Sequence, residues 1–235
     1  MTRISRLNTA AAIIAVAALG LAWPSSVRPQ ATKRPVDTNR GAVIAAQGTS
    51  TVPACAQCHL LPVTSDSSGT FPRIAGQSAY YLEKQMRDFA SSERASAIMS
   101  PIAKALSADD IADVSEYYAS NSGPFPPFAS TDAALVKEGE QLARVGNATK
   151  DIQACNNCHG PDGAGIPPAI PYLAGQYAQY IASELQMWKR GVRNNSPESM
   201  AFIAKQLDDR EIAVVAAFYQ QARGAPTTDA SAPKR

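Results

Sequence analysis

Apolar residues recur along most of the chain at helical rather than alternating spacing, which predicts helices joined by loops. Ile111, Val114 and Tyr118 form an i, i+3, i+7 stripe, and Ile212, Val215 and Phe218–Tyr219 form a second. Each stripe starts behind a capping pattern, Ser107 standing three residues before Asp110 and Asp208 three before Glu211. A side-chain acceptor there satisfies an amide that the first turn leaves unpaired, so both helices have defined starts. Between the stripes, Asn121-Ser122-Gly123-Pro124-Phe125-Pro126-Pro127-Phe128 is too rich in proline for a helix or a central strand. It predicts a semi-rigid connector over residues 121–131. The small, polar stretch 224–235 predicts a disordered tail.

The pattern changes at the N-terminus, where Arg3 and Arg6 precede an apolar run from Ala10 to Trp23. That layout predicts a secretory signal peptide over residues 1–31, with Gly20-Leu21-Ala22 as a cleavage site. The run falls short of the roughly 20 apolar residues that span a bilayer, so an uncleaved anchor is the second choice. Arg3 and Arg6 are not adjacent, so no twin-arginine route is indicated.

Comparing the chain with itself reveals a repeat. Cys55-Ala56-Gln57-Cys58-His59 returns as Cys155-Asn156-Asn157-Cys158-His159 at an offset of 100 residues. Pro72-Arg73-Ile74-Ala75-Gly76-Gln77 answers to Pro171-Tyr172-Leu173-Ala174-Gly175-Gln176 at 99, and Met99 through Leu106 answers to Met200 through Leu207 at 101. The expected organisation is therefore all-α, with two similar domains over residues 32–120 and 132–223. A length of 235 residues accommodates both.

Charge narrows the function classes. The net charge of +2 comes from 22 basic and 20 acidic residues, and residues 1–31 hold three Arg and no acid, which leaves 19 basic against 20 acidic. The exported protein is near neutral, without a Lys/Arg run, and this argues against nucleic-acid binding and limits long-range steering of a partner.

Cys-x-x-Cys-His sets two thiols about one helical turn apart with an imidazole beside the second. Both sulfurs can then bond the vinyl positions of one heme while the histidine becomes an iron ligand. Two copies occur, and they use both histidines of the chain. One zinc held by the four cysteines would leave the histidines unexplained. A disulfide in each pair suits an oxidising compartment, but a thioredoxin-like redox motif needs a strand–helix context that this pattern does not supply.

With His59 and His159 spent as proximal ligands, methionine is the next candidate for the second axial position. Met86 and Met187 fall in the helices after Gly76-Gln77 and Gly175-Gln176; at the 99 offset Met86 matches Leu185 and Met187 matches Asp88, so both read as packing residues. Met99 and Met200 match each other, 40 residues after His59 and 41 after His159, and are the expected ligands; the alternative is that they too are core methionines. A ligating imidazole needs an acceptor for its other N–H. Pro72 and Pro171, 13 and 12 residues beyond their histidines, could stiffen the path of such a carbonyl, or could be ordinary turn prolines.

Taken in combination, Cys-x-x-Cys-His, Pro-x-(Leu/Ile)-Ala-Gly-Gln, a helix with Tyr and Phe or Trp, and Met with Ile-Ala-Lys-x-Leu resemble the diheme cytochrome c4 family from about Asn39 to Ala222. The resemblance implies two tandem class I cytochrome c domains in the periplasm and two covalently attached heme c groups. It implies attachment through Cys55, Cys58, Cys155 and Cys158, with axial ligands His59 and Met99 in the first half and His159 and Met200 in the second. It also implies that the carbonyls of Pro72 and Pro171 bond the heme histidines. The first motif departs from the family by continuing Leu60-Leu61-Pro62-Val63 where the second continues Gly160-Pro161-Asp162-Gly163.

The expected function is non-catalytic electron transfer between a quinol-oxidising complex or dehydrogenase and a terminal oxidase. The expected partners are redox proteins, with membrane association only through a partner or a retained leader. The electron-accepting subunit of a dehydrogenase is the alternative. A diheme peroxidase is third, because it needs an open axial position and neither a spare His nor a spare Cys is present.

Overall fold

The computed structural model describes residues 34–59, 69–121 and 132–223. The expected signal peptide, all of the connector past Asn121, the tail and the Leu60–Val63 departure lie outside the described residues. Helix α1 spans Thr38–Gln47, α2 Ala56–His59, α3 Ala79–Ser91, α4 Met99–Ala105 and α5 Ala108–Ser120. The second half repeats the series: α6 Ala133–Val145, α7 Asn156–His159, α8 Ala178–Lys189, α9 Met200–Gln206 and α10 Asp209–Gln221. Among the described residues there is no strand, and no helix is long and apolar enough to cross a membrane.

Local chemistry sets the helix starts. Asp37 caps α1 through the amides of Asn39 and Arg40, and Asp132 caps α6 through those of Ala134 and Leu135. Both capping boxes form, Ser107 with Asp110 on α5 and Asp208 with Glu211 on α10. Helix α8 has no such cap, and Gln220 Oε1 from α10 takes the Ala178 amide instead, at 2.8 Å.

In each half the first helix packs on the last, α1 on α5 and α6 on α10. The contact is backbone to backbone at one glycine: a Cβ on Gly41 would stand 2.1 Å from the Asp113 carbonyl oxygen, and one on Gly139 1.9 Å from that of Val214. Only glycine permits that approach. The sequence stripes face these contacts, since Ile111, Val114, Tyr118, Ile212, Val215, Phe218 and Tyr219 are all buried. Asp113, fully buried at the first crossing, accepts from the Asp37 amide at 2.8 Å, Arg34 at 2.6 Å and Arg40 at 2.8 Å. Burial works to raise its pKa, but the amide and the two guanidiniums more than offset that and hold it below the ordinary carboxylate value.

The halves meet through polar groups. Gln77 bonds the Tyr172 backbone and Gln176 that of Arg73. Beside them, the buried Arg94 and Arg193 share the Glu184 carboxylate, Arg94 at 2.9 Å, and both donate to Gln85 Oε1, at 2.8 and 3.0 Å. A buried charge needs such partners, so this cluster ties α3 to α8 specifically.

Candidate functional site

Each Cys-x-x-Cys-His motif folds as one helical turn, with the His59 amide on the Cys55 carbonyl and the His159 amide on the Cys155 carbonyl, both at 2.9 Å. The turn sets the two thiols and the imidazole of a motif on neighbouring helical positions. Cys55 packs against the cluster of Ile44, Ala75, Leu82, Val114 and Tyr118, and Cys155 against that built on Leu142, Ile181 and Tyr219. Before a heme is attached, burial pushes the Cys55 thiol up, and the Cys155 thiol up to about 11. Among the described residues no three His, Cys, Asp or Glu side chains come together as a metal site.

Each imidazole is oriented by a backbone carbonyl. His59 Nδ1 lies 3.0 Å from the Pro72 oxygen, and His159 Nδ1 lies 3.0 Å from that of Pro171. The two prolines are therefore more than turn residues. Burial drives the pKa of both histidines below the ordinary imidazole value, the carbonyls acting in the opposite sense and Arg94 adding to the fall at His59. A neutral ring whose Nδ1–H donates to a carbonyl leaves the Nε2 lone pair for a metal.

Met99 and Met200 are the first residues of α4 and α9, half-buried, and their amides are held by the hydroxyls of Ser96 and Ser196 at 3.0 and 3.4 Å. Met86 packs with Ile102 on Val52, Leu106 and Ile111. Met187 is half-buried within α8.

The residues present fit a heme in each half. Besides the thiol and imidazole donors, the buried Tyr118 hydroxyl in the first half and the buried Trp188 indole N–H in the second have no hydrogen-bond partner among the described residues. Buried donors of this kind are rare in a native fold and suit a cofactor that brings carboxylate acceptors. Sequence reasoning did not single out either residue for this. Tyr118 matches Tyr219, whose hydroxyl is instead satisfied by Asn156 Oδ1 at 2.8 Å.

Fold and site together define a c-type cytochrome. The family model described as cytochrome C oxidase, cbb3-type, subunit III matches residues 141–218. Cytochrome c4 of Pseudomonas aeruginosa (strain PAO1) is 35% identical over 75% of this chain and 87% of its own length. The thiosulfate dehydrogenase electron acceptor of Stutzerimonas stutzeri (strain A1501) is 38% identical over 71% of this chain and 77% of its own. Among solved structures, reduced recombinant cytochrome c4 from Pseudomonas stutzeri superposes with a TM-score of 0.69 at 29% identity, covering 80% of this chain and all of that one. Thiosulfate dehydrogenase from Marichromatium purpuratum, as isolated, gives 0.74 at 34% identity over 83% of this chain, which spans only 42% of that longer one.

The chain belongs to the cytochrome c4 family. It is a diheme electron-transfer cytochrome of two tandem cytochrome c domains, with covalently bound heme c.

Proposed function

We propose that Cys55 and Cys58 hold one heme c through thioether bonds, with His59 and Met99 as axial ligands, and that Cys155, Cys158, His159 and Met200 hold the second. The observation that carries this reading is the matched pair of imidazole–carbonyl bonds, His59 to Pro72 and His159 to Pro171, each on a Cys-x-x-Cys-His turn. When bound, each heme supplies one-electron exchange. The chain's own residues do the rest. Pro72 and Pro171 fix the imidazole planes and raise the basicity of Nε2. Ser96 and Ser196 anchor the helix ends that carry the two methionines. The surrounding helices exclude water and so limit reorganisation when charge changes.

The domains are residues 32–120 and 132–223, joined by 121–131 behind a leader over 1–31, and the protein acts in the periplasm as a carrier rather than a catalyst. Methionine opposite histidine raises the reduction potential, which suits acceptance from a quinol-oxidising complex or a dehydrogenase and delivery to a terminal oxidase. The identity to relatives named thiosulfate dehydrogenase electron acceptor favours a second reading, in which the donor is such a dehydrogenase and this chain its partner.

Intact mass of the exported protein should exceed the polypeptide by two hemes that acid–organic extraction does not remove. Reduced protein should be reoxidised fast by a high-potential soluble oxidant and slowly by hydrogen peroxide. Extractable heme rules out the thioether attachment, and rapid, saturable peroxide turnover rules out the carrier. Co-purification with a large dehydrogenase selects the second reading over a free carrier.

A further inference from the structure

The Ala-Gly-Gln part of the repeat has no role in the heme sites described so far, yet its glutamines, each 6% exposed, make reciprocal bonds between the halves. Gln176 Oε1 accepts the Arg73 amide at 3.0 Å while its Nε2 donates to the Arg73 carbonyl at 2.8 Å. Gln77 treats Tyr172 in the same way, at 3.0 and 2.5 Å. The repeat thus places each glutamine on the opposite half's residue after the proline.

That position matters because of what the peptide group does on its other side. The Arg73 N–H and the Pro72 carbonyl belong to one conjugated peptide unit, and the Pro72 carbonyl accepts from His59. The Tyr172 N–H and the Pro171 carbonyl likewise share a unit, and that carbonyl accepts from His159. A hydrogen bond accepted from the N–H end moves electron density toward the oxygen, strengthening the next bond in the chain by roughly 10–30%. A stronger acceptor on Nδ1–H makes the imidazole more basic, and a more basic ligand stabilises oxidised iron over reduced.

We infer that Gln176 is a positioning residue for the heme of the first half and Gln77 for that of the second, so that each half lowers the reduction potential of the other's heme. The inference rests on His59 and His159 being the heme ligands. Loosening the contact between the halves, as docking to a partner could do, would raise both potentials.

The test uses the diheme protein with Gln176→Leu and Gln77→Leu made singly. In the reduced state, NMR follows the His59 and His159 Nδ1–H signals, and a potentiometric titration follows each heme through its assigned axial-methionine methyl signal. Gln176→Leu should move the His59 signal upfield and change the oxidised-to-reduced ratio of the first heme about threefold toward reduced, or about 28 mV at 59 mV per tenfold. Gln77→Leu should do the same to His159 and the second heme. Gln176→Glu, which keeps an acceptor for the Arg73 amide, should return the His59 signal to at least its native position. Asn195→Ala removes other bonds between the halves, to Gln85 and Asp88 at 3.0 and 2.6 Å, and should move neither signal. Shifts confined to the substituted half, equal shifts in both, or no shift overturn the inference. Failure of the ligation reading shows separately, as an unsubstituted protein that lacks two hemes or methionine-to-iron absorption.

Discussion

Replacing Gly139 with alanine sets two opposed effects against each other. Alanine favours a helix over glycine by about 1 kcal/mol, so an exposed site in α6 would gain stability. At Gly139, however, the new Cβ would lie 1.9 Å from the Val214 oxygen, 2.5 Å from its carbon and 2.9 Å from the Phe218 Cβ. Real Cβ contacts essentially never fall below 3.0 Å, so α6 and α10 have to separate by about 1.1 Å along that line. The obstacle is backbone, which no rotamer change relieves. Overpacking costs roughly 1–3 kcal/mol, and a rigid obstacle places this site at the upper end. The net loss is then about 2 kcal/mol, or roughly 8–16 °C in Tm at about 4–8 °C per kcal/mol for a domain of roughly 90 residues. Thermal unfolding of the diheme protein, followed by far-UV circular dichroism, measures it. A Tm equal to or above that of the parent protein would refute the close-crossing account of α6 and α10.

Met99→Ala and Met200→Ala should each remove half of the sulfur-to-iron absorption at the red end of the visible spectrum, whereas Met86→Ala and Met187→Ala should leave it intact; the reverse pattern means the repeats were matched wrongly. Asp113→Ala should cost roughly 1–3 kcal/mol in urea unfolding at neutral pH, because it leaves the Asp37 amide without its acceptor and takes the buried carboxylate from Arg34 and Arg40, whose remaining ion pairs are with Asp109 and Asp110. Since the folded-state pKa of Asp113 is depressed, its stabilisation is present above the ordinary carboxylate value and is lost as pH falls through the folded one. Asp113→Asn should therefore flatten the acid limb of the stability profile, and an unchanged limb contradicts the assignment. Pro72→Ala keeps the carbonyl that His59 needs, so both hemes should still attach, with a broadened His59 Nδ1–H signal as the measure of lost rigidity; a sharp, unmoved signal means that the proline ring adds nothing.

Sequence alone determined what is local. The two Cys-x-x-Cys-His turns, the capping boxes at Ser107 and Asp208 and the buried stripes of α5 and α10 all depend on neighbours a few positions apart, and helical geometry converts that spacing directly into shape, while the 100-residue repeat shows that each turn and stripe occurs twice. What depends on contacts between residues from 12 to more than 100 positions apart was decided by the tertiary structure. Pro72 and Pro171 were equally readable as turn residues until the fold brought their carbonyls to 3.0 Å from the imidazoles. Helices α1 and α6 carried their signals, Asp37 with Gly41 and Asp132 with Gly139, but a glycine inside a helix shows its purpose only when another backbone lies against it. Gln77 and Gln176 read as ordinary polar residues of a repeat, and nothing beside Arg94 or Arg193 in the chain marks them out. Their burial follows from one half covering the other, and a polar side chain's value is set by the partner it meets, which its own neighbours in the chain do not specify.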